Sequence, residues 1–225
     1  MMGNDEVESL PPRLAPARRL TFLAWVMVLM CVNALLVAPD AMANSAAIRA
    51  HLVALTQTDA MDLASALKPE ITARQLELET RDRRIIIRLL EQPSFPGGSA
   101  TLRPAILPVV EKVRDRIKDL PGEIAVEGHA DDVPVSTARF RSNWELAASR
   151  AVAVAHELMR DGVIAPARLV VKSYGDTRPL APNTTHENRA RNRRVEIVID
   201  QGGDDAQYLS GEKPLPAKPV FPLGH

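Results

Sequence analysis

A chain of 225 residues has room for one ordinary domain with appendages, or for two small ones. Its 28 basic residues balance 28 acidic ones, which argues against nucleic acid or any strongly charged partner. The single cysteine, Cys31, rules out an intramolecular disulfide, so an exported domain must be held by its core alone.

Residues 1–19 carry prolines and charges without an apolar period, as expected of a disordered cytoplasmic tail. Residues 20–38 contain no charge and Asn33 as their one strongly polar side chain, a run long enough to cross a bilayer as a helix. Arg13, Arg18 and Arg19 precede this run, and Pro39 and Asp40 follow it. The positive-inside rule then leaves the N-terminus in the cytoplasm and exports the rest across the inner membrane to the periplasm. Pro39 with Ala41-Met42-Ala43 also has the look of a signal-peptidase site. A retained single-pass anchor and a soluble periplasmic protein cleaved after Ala43 both stay open. The length of the run, beyond the roughly 7–15 residues of a signal core, favours the anchor.

Residues 39–76 alternate helical-looking pieces with breakers such as Pro69 and suggest a partly helical tether. The folded unit is expected over residues 77–200. Arg84 to Leu90 is rich in β-branched and apolar residues and predicts a strand. Ile106, Leu107, Val110, Val113 and Ile117 form a helical stripe, with Pro104 suited to a first turn and Pro108 expected to kink the helix or delay its start. Ile124 to Val126 predicts a short strand, followed by a polar loop that ends at Arg141. Ser142 and Glu145 form a capping box that opens a helix burying Leu146, Ala147, Ala151, Val154 and Leu158. A strand near Leu169, a polar loop over residues 174–188 and a last strand with Val195, Ile197 and Ile199 complete the unit. Strands separated by helices imply crossover connections and a compact two-layer α/β sandwich of βαβαβ type. Residues 201–225, rich in Gly, Pro and charge, predict a disordered tail.

The loops between these elements carry a specific pattern. Gly128-His129-Ala130-Asp131-Asp132, Ser142-Asn143-Trp144-Glu145-Leu146, Arg150-Ala151, Tyr174-Gly175, Pro179, Asn183 and the run Arg189 to Ile197 resemble the OmpA-like C-terminal domain in order and spacing. The stretch from Thr137 to Leu146 is similar to the flagellar stator B-subunit branch, MotB and PomB. The resemblance covers about residues 77–200 and implies a non-catalytic domain that binds peptidoglycan.

It further implies that Asp131 and Arg150 hold the diaminopimelate of the stem peptide. The chemistry agrees. The free end of diaminopimelate is a zwitterion, so its site needs one anion for the ammonium and one cation to grip the carboxylate with paired hydrogen bonds. Asp131 follows a strand, and Arg150 stands two turns into the next helix, where it can point back at that loop. Asn143 either orients the stem peptide or caps the helix. Arg193 and Arg194 add cations, but strand alternation lets only one reach the ligand, and the other is expected to support the loops through Glu187 or Asp176. Ala130, Arg141 and Ala147 stand where the family usually has Thr, Pro and Ser. Each lost hydrogen bond weakens such a site by on the order of 1 kcal/mol without abolishing it.

Thr21-Phe22 and Leu29-Met30-Cys31 match the spacing of the PomB-branch membrane helix, and Ala24 then occupies the place of its ion-carrying aspartate. No Asp or Glu lies within residues 20–38, and ion-driven torque needs a membrane carboxylate. The expected role is therefore to fasten an inner-membrane assembly to the wall. The alternatives are an active stator subunit beside a MotA-like partner, and a cleaved periplasmic protein. The stator likeness also implies a homodimer. Five scattered histidines lack metal-ligand spacing, and no nucleophile elbow or phosphate loop is present, so neither metal, cofactor nor enzymatic activity is expected.

Overall fold

The computed structural model describes residues 43–203, 205–210 and 212. The expected cytoplasmic tail, the hydrophobic run 20–38 and most of the C-terminal tail fall outside these residues. Among the described residues no helix is long and apolar enough to cross a membrane. The chain divides into two compact units, Met1–Ala47 and Ile48–His225; the first helix starts in the last residues of the former, and every later element belongs to the latter.

The segment expected to be a partly helical tether carries two helices and the start of a strand. Helix α1 covers residues 43–66. Its Leu52, Thr56, Ala60 and Leu63, followed by Leu67, recur every three or four residues and are all buried. Arg83 and Gln201 fasten this helix by hydrogen bonds to Leu52 O, Thr56 Oγ1 and Asp59 Oδ2. Pro69 breaks no structure, because it sits in the first turn of helix α2 (Lys68–Thr72), where its missing N–H costs nothing. Strand β1 (Leu76–Arg81) follows, its charged residues concealing an edge strand with Leu76 and Leu78 turned to the core.

β1 forms a hairpin with β2 (Arg84–Leu90), and short helix α3 (Glu91–Ser94) closes β2. A 3₁₀ turn at Pro104–Ile106 leads into α4 (Leu107–Ile117), with Pro108 in its first turn. Pro108 thus starts the helix and does not kink it. β3 (Glu123–His129), α5 (Asn143–Met159) and β4 (Leu169–Gly175) form a parallel crossover unit. The polar segment after β4 contains a further helix, α6 (His186–Asn192), before β5 (Arg194–Asp200). A short helix α7 (Asp205–Ser210) lies in the expected tail, tied back by an ion pair from Arg83 to Asp205.

The five strands form one mixed sheet in the order β1-β2-β5-β3-β4. Only β3 and β4 are parallel neighbours, because β5, last in sequence, inserts antiparallel between β2 and β3. Ile85, Ile87, Leu89, Ile124, Val126, Val195, Ile197 and Ile199 alternate onto one face. There they pack with Val110, Val113 and Ile117 of α4 and Ala151, Val154 and Leu158 of α5. Burying each such aliphatic side chain stabilises by about 1.5–3 kcal/mol relative to exposure. The second face holds a small apolar centre of Ile86, Ala125 and Val198 within charged residues.

Two details position the loops. Ser142 accepts from Glu145 N at 3.3 Å as a helix cap, but Glu145 reaches back to Arg141 N at 2.7 Å, so the expected capping box closes one residue earlier. Gly128 lets β3 touch α5, since a Cβ there would stand 2.1 Å from Ala147 O. The first glycine of the Gly128-His129 motif is therefore a packing requirement, and it fixes the angle from which α5 faces the end of β3.

Candidate functional site

β2 and β3 run in the same direction, and both end at the same edge of the sheet. β5 starts at that edge, between them. The residue after β2 is Glu91, the loop after β3 carries Asp131, and the residue before β5 is Arg193. The strand order alone thus sets one cation between two acids. The Glu91 N–H donates to Arg193 O at 3.1 Å, which continues the ladder into this corner.

The side chains follow the backbone. Arg193 donates through Nε to Glu91 Oε2 and through Nη1 to Asp131 Oδ2 at 2.6 Å. Glu91 Oε1 accepts from Arg150 Nη2 at 2.6 Å, and Arg150 Nε donates to Ser99 O at 2.8 Å. The guanidinium of Arg150 also lies over the Phe95 ring. The result is a chain of alternating charges, Asp131, Arg193, Glu91 and Arg150. Asp131 and Arg150 are 5% and 2% exposed, while the Arg193 side chain, at 20%, reaches furthest toward solvent. Burial works against the charge of Arg193, but its bonds to Glu91 and Asp131 outweigh that and raise its pKa.

Asp131 and Arg150, expected to form the site together, therefore do belong to one network, but they do not face each other directly. Arg193 and Glu91 stand between them. Asn143 does not cap α5, a role that Ser142 takes. Its amide donates to Asp131 O and its carbonyl accepts from Val135 N, both at 3.0 Å, so it pins the loop that carries Asp131. Asp131 Oδ1 also accepts from Val133 N, closing its own turn. Ala130 is buried at the root of this loop, and Arg141 is exposed and paired with Glu145.

Arg194 faces away. Strand alternation sends it to the second face of the sheet, where it donates to Glu196 Oε1 at 2.7 Å. Its partner is Glu196, not Glu187 or Asp176, although it does brace the loop after β4 through Arg178 O at 3.3 Å. Of the two adjacent arginines, only Arg193 belongs to the network with Asp131.

Two polar residues of this region are not among the expected site residues, although Asn192 lies within the motif. Glu91 ends an apolar strand, and its one hint is an acid placed directly after six residues that a sheet would bury. Asn192, fully buried, binds Leu180 N, Ala181 N, Ala181 O and Asn183 Oδ1, and so shapes the loop leading to α6.

The second face is a charged concavity of about 780 Å³. Glu196 Oε1 accepts from both Arg88 and Arg194, and Arg88 also pairs with Glu79. His129 is 2% exposed, stacks beside Tyr174 with centroids 5.2 Å apart, and has no hydrogen-bond partner at either ring nitrogen. Glu127, His129 and Glu196 bring potential ligand atoms within 4.8 Å of one another. Cations surround them, however: Arg88 and Arg194 hold Glu196, Lys172 lies 3.6 Å from Glu127, and Arg178 covers Tyr174. Burial first, then Arg194, pushes the His129 pKa down to about 4. The carboxylates are already taken up by cations, and this cluster reads as a structural ion lattice.

The OmpA family matches residues 94–193. Motility protein B of Helicobacter pylori is 37% identical over 135 residues, which is 59% of this chain and 52% of that protein. A putative MotB like protein from Desulfovibrio vulgaris, 30% identical, superposes with a TM-score of 0.62 over 68% of this chain and 98% of that one. The cell wall anchor of the T6SS from Pseudomonas aeruginosa, 34% identical, superposes with a TM-score of 0.58 over 61% and 96%. The chain spans about half the length of the first curated relatives that it matches.

The buried His129 generates a pH prediction. It stays neutral when folded down to about pH 4 but takes up its proton near pH 6.5 when unfolded. Between those values the unfolded state binds more protons, so this residue removes stability as pH falls. Urea unfolding at pH 7 and pH 4 should show a loss on the order of 3 kcal/mol in the wild type that His129→Gln lacks.

Proposed function

This chain belongs to the OmpA family, and from that premise we propose that its folded unit binds peptidoglycan noncovalently by gripping the zwitterionic end of diaminopimelate between Asp131 and Arg150. The observation that carries this reading is the alternation of Asp131, Arg193, Glu91 and Arg150 at one corner of the sheet. An ammonium finds a carboxylate there, and a carboxylate finds a guanidinium, in a desolvated setting where charge-assisted hydrogen bonds are strong. Asn143 acts on the ligand through the Asp131 loop that it pins. Nothing in the site suggests a bond being made or broken, and the reading is of a binding protein without catalysis.

The wider role follows from the N-terminal sequence. With residues 20–38 as a single-pass inner-membrane anchor and the folded unit in the periplasm, the protein fastens a membrane assembly to the wall. Its likeness to MotB suggests a homodimer beside a MotA-like partner. The absence of Asp and Glu from residues 20–38, with Ala24 at the aligned position, supports a scaffold without ion conduction over an active stator. On this reading the chain, supplied as the sole B subunit, leaves a stator-deficient strain non-swimming; restored swimming would overturn this part of the proposal. A mature N-terminus at Asn44 would instead establish the cleaved, soluble form.

Wall binding itself is tested by sedimentation of the full-length chain with purified sacculi. The wild type is expected to pellet with them. Asp131→Asn, which keeps shape but removes charge, and Arg150→Lys, which keeps charge but removes the planar fork, should each weaken binding by roughly tenfold or more. Unchanged binding by both folded variants would discard the site.

A further inference from the structure

We infer that Glu91 is an internal stand-in for the ligand carboxylate, so that wall binding at this site is an exchange of one carboxylate for another. The inference rests on the peptidoglycan reading and goes beyond it by assigning a residue that sets affinity and specificity. Glu91 is 8% exposed, and each of its two oxygens is held by a different guanidinium, that of Arg150 and that of Arg193. Arg193 in turn occupies Asp131 Oδ2, the place where a ligand ammonium would be received. Both ends of the proposed site are therefore engaged by the protein's own charges.

Charge pairing shows how the exchange can proceed. An arriving ammonium takes Asp131 from Arg193, and an arriving carboxylate takes Arg150 from Glu91. The two displaced groups are already in contact with each other through Arg193 Nε and Glu91 Oε2, and that contact is kept. Every buried charge has an opposite partner before and after, which is the condition for keeping such charges out of water. A ligand bearing only one of the two charges would displace one internal group and leave another unpaired. The arrangement thus selects zwitterions over simple acids or amines. Arg193 is the hinge of the exchange, consistent with its being the most exposed of the four.

The alternative is that Glu91 is a positioning residue that holds Arg150 ready for the ligand. The two roles predict opposite signs for Glu91→Gln, which keeps size and a hydrogen-bond acceptor while removing the competing charge. The probe is a stem tripeptide ending in meso-diaminopimelate, with calorimetric titration of the full-length chain. A second probe is the same peptide with its diaminopimelate carboxylates amidated. Exchange predicts that Glu91→Gln binds the acid peptide about tenfold more tightly than the wild type, with no gain for the amide. Glu91→Asp, one methylene shorter and unable to span both guanidiniums, should give a smaller gain confined to the acid; it serves as the test if Glu91→Gln does not fold. Weaker or unchanged binding of the acid peptide by a folded variant, or an equal gain for the amide, overturns the inference. In that case wild-type binding to sacculi still upholds the wall-binding reading. A wild type that binds neither sacculi nor peptide overturns both.

Discussion

Three buried charges and one half-buried one at the end of a sheet must each find an opposite partner, and the rest of the candidate site is arranged around that requirement. Removing one member of such a set leaves another uncompensated in a dry place, at a cost of about 3–5 kcal/mol. The topology meets the requirement without long loops. Because β5 inserts between β2 and β3, the residue that precedes it falls between the two chain segments that end there. Arg193 is thereby interposed between Glu91 and Asp131 by backbone geometry, and α5, held close by Gly128, delivers Arg150 from above. Fold and site are one construction: the sheet order that buries the core also sets the alternation of charge.

The same strand alternation divides the protein's polar chemistry between two faces. Residues with odd numbers from Val195 to Ile199 enter the core, while Arg194 and Glu196 join Arg88, Glu127 and His129 on the opposite face. That second cluster carries as much charge as the candidate site, and its partners are its own neighbours. His129, within that cluster, is held neutral first by its burial and then by Arg194. Proximity in sequence is thus a poor guide to proximity in function here. Arg193 and Arg194 are adjacent in the chain yet serve different faces of the sheet.

Much of the central sheet was legible because burial leaves periodic marks. Arg84–Leu90 and the strand ending at Asp200 announce themselves by alternation, and α5 by its apolar stripe and Ser142 cap. The elements that escaped are those whose local signals point the other way. β1 is half charged because it lies at the sheet edge, and Pro69 looks like a breaker while serving as a helix start; Pro108 delays the start of α4, one of the two outcomes expected of it. α6 hides in polar sequence because only one of its residues, Asn192, is buried. In the candidate site, the motif singled out Asp131, Arg150 and Arg193, which the fold gathers into one charge network, and Asn143, which it ties to the Asp131 loop. Glu91 could not be found, since its meaning depends on the strand that comes to lie beside it one hundred residues later.

The most direct measurement of the central claim is the structure of this chain bound to a diaminopimelate-containing stem peptide. The account predicts the ligand ammonium against Asp131 and its carboxylate against Arg150, with Arg193 and Glu91 still paired to each other. A bound peptide that leaves the Asp131–Arg193 and Arg150–Glu91 pairs untouched, and sits elsewhere on the protein, would contradict it.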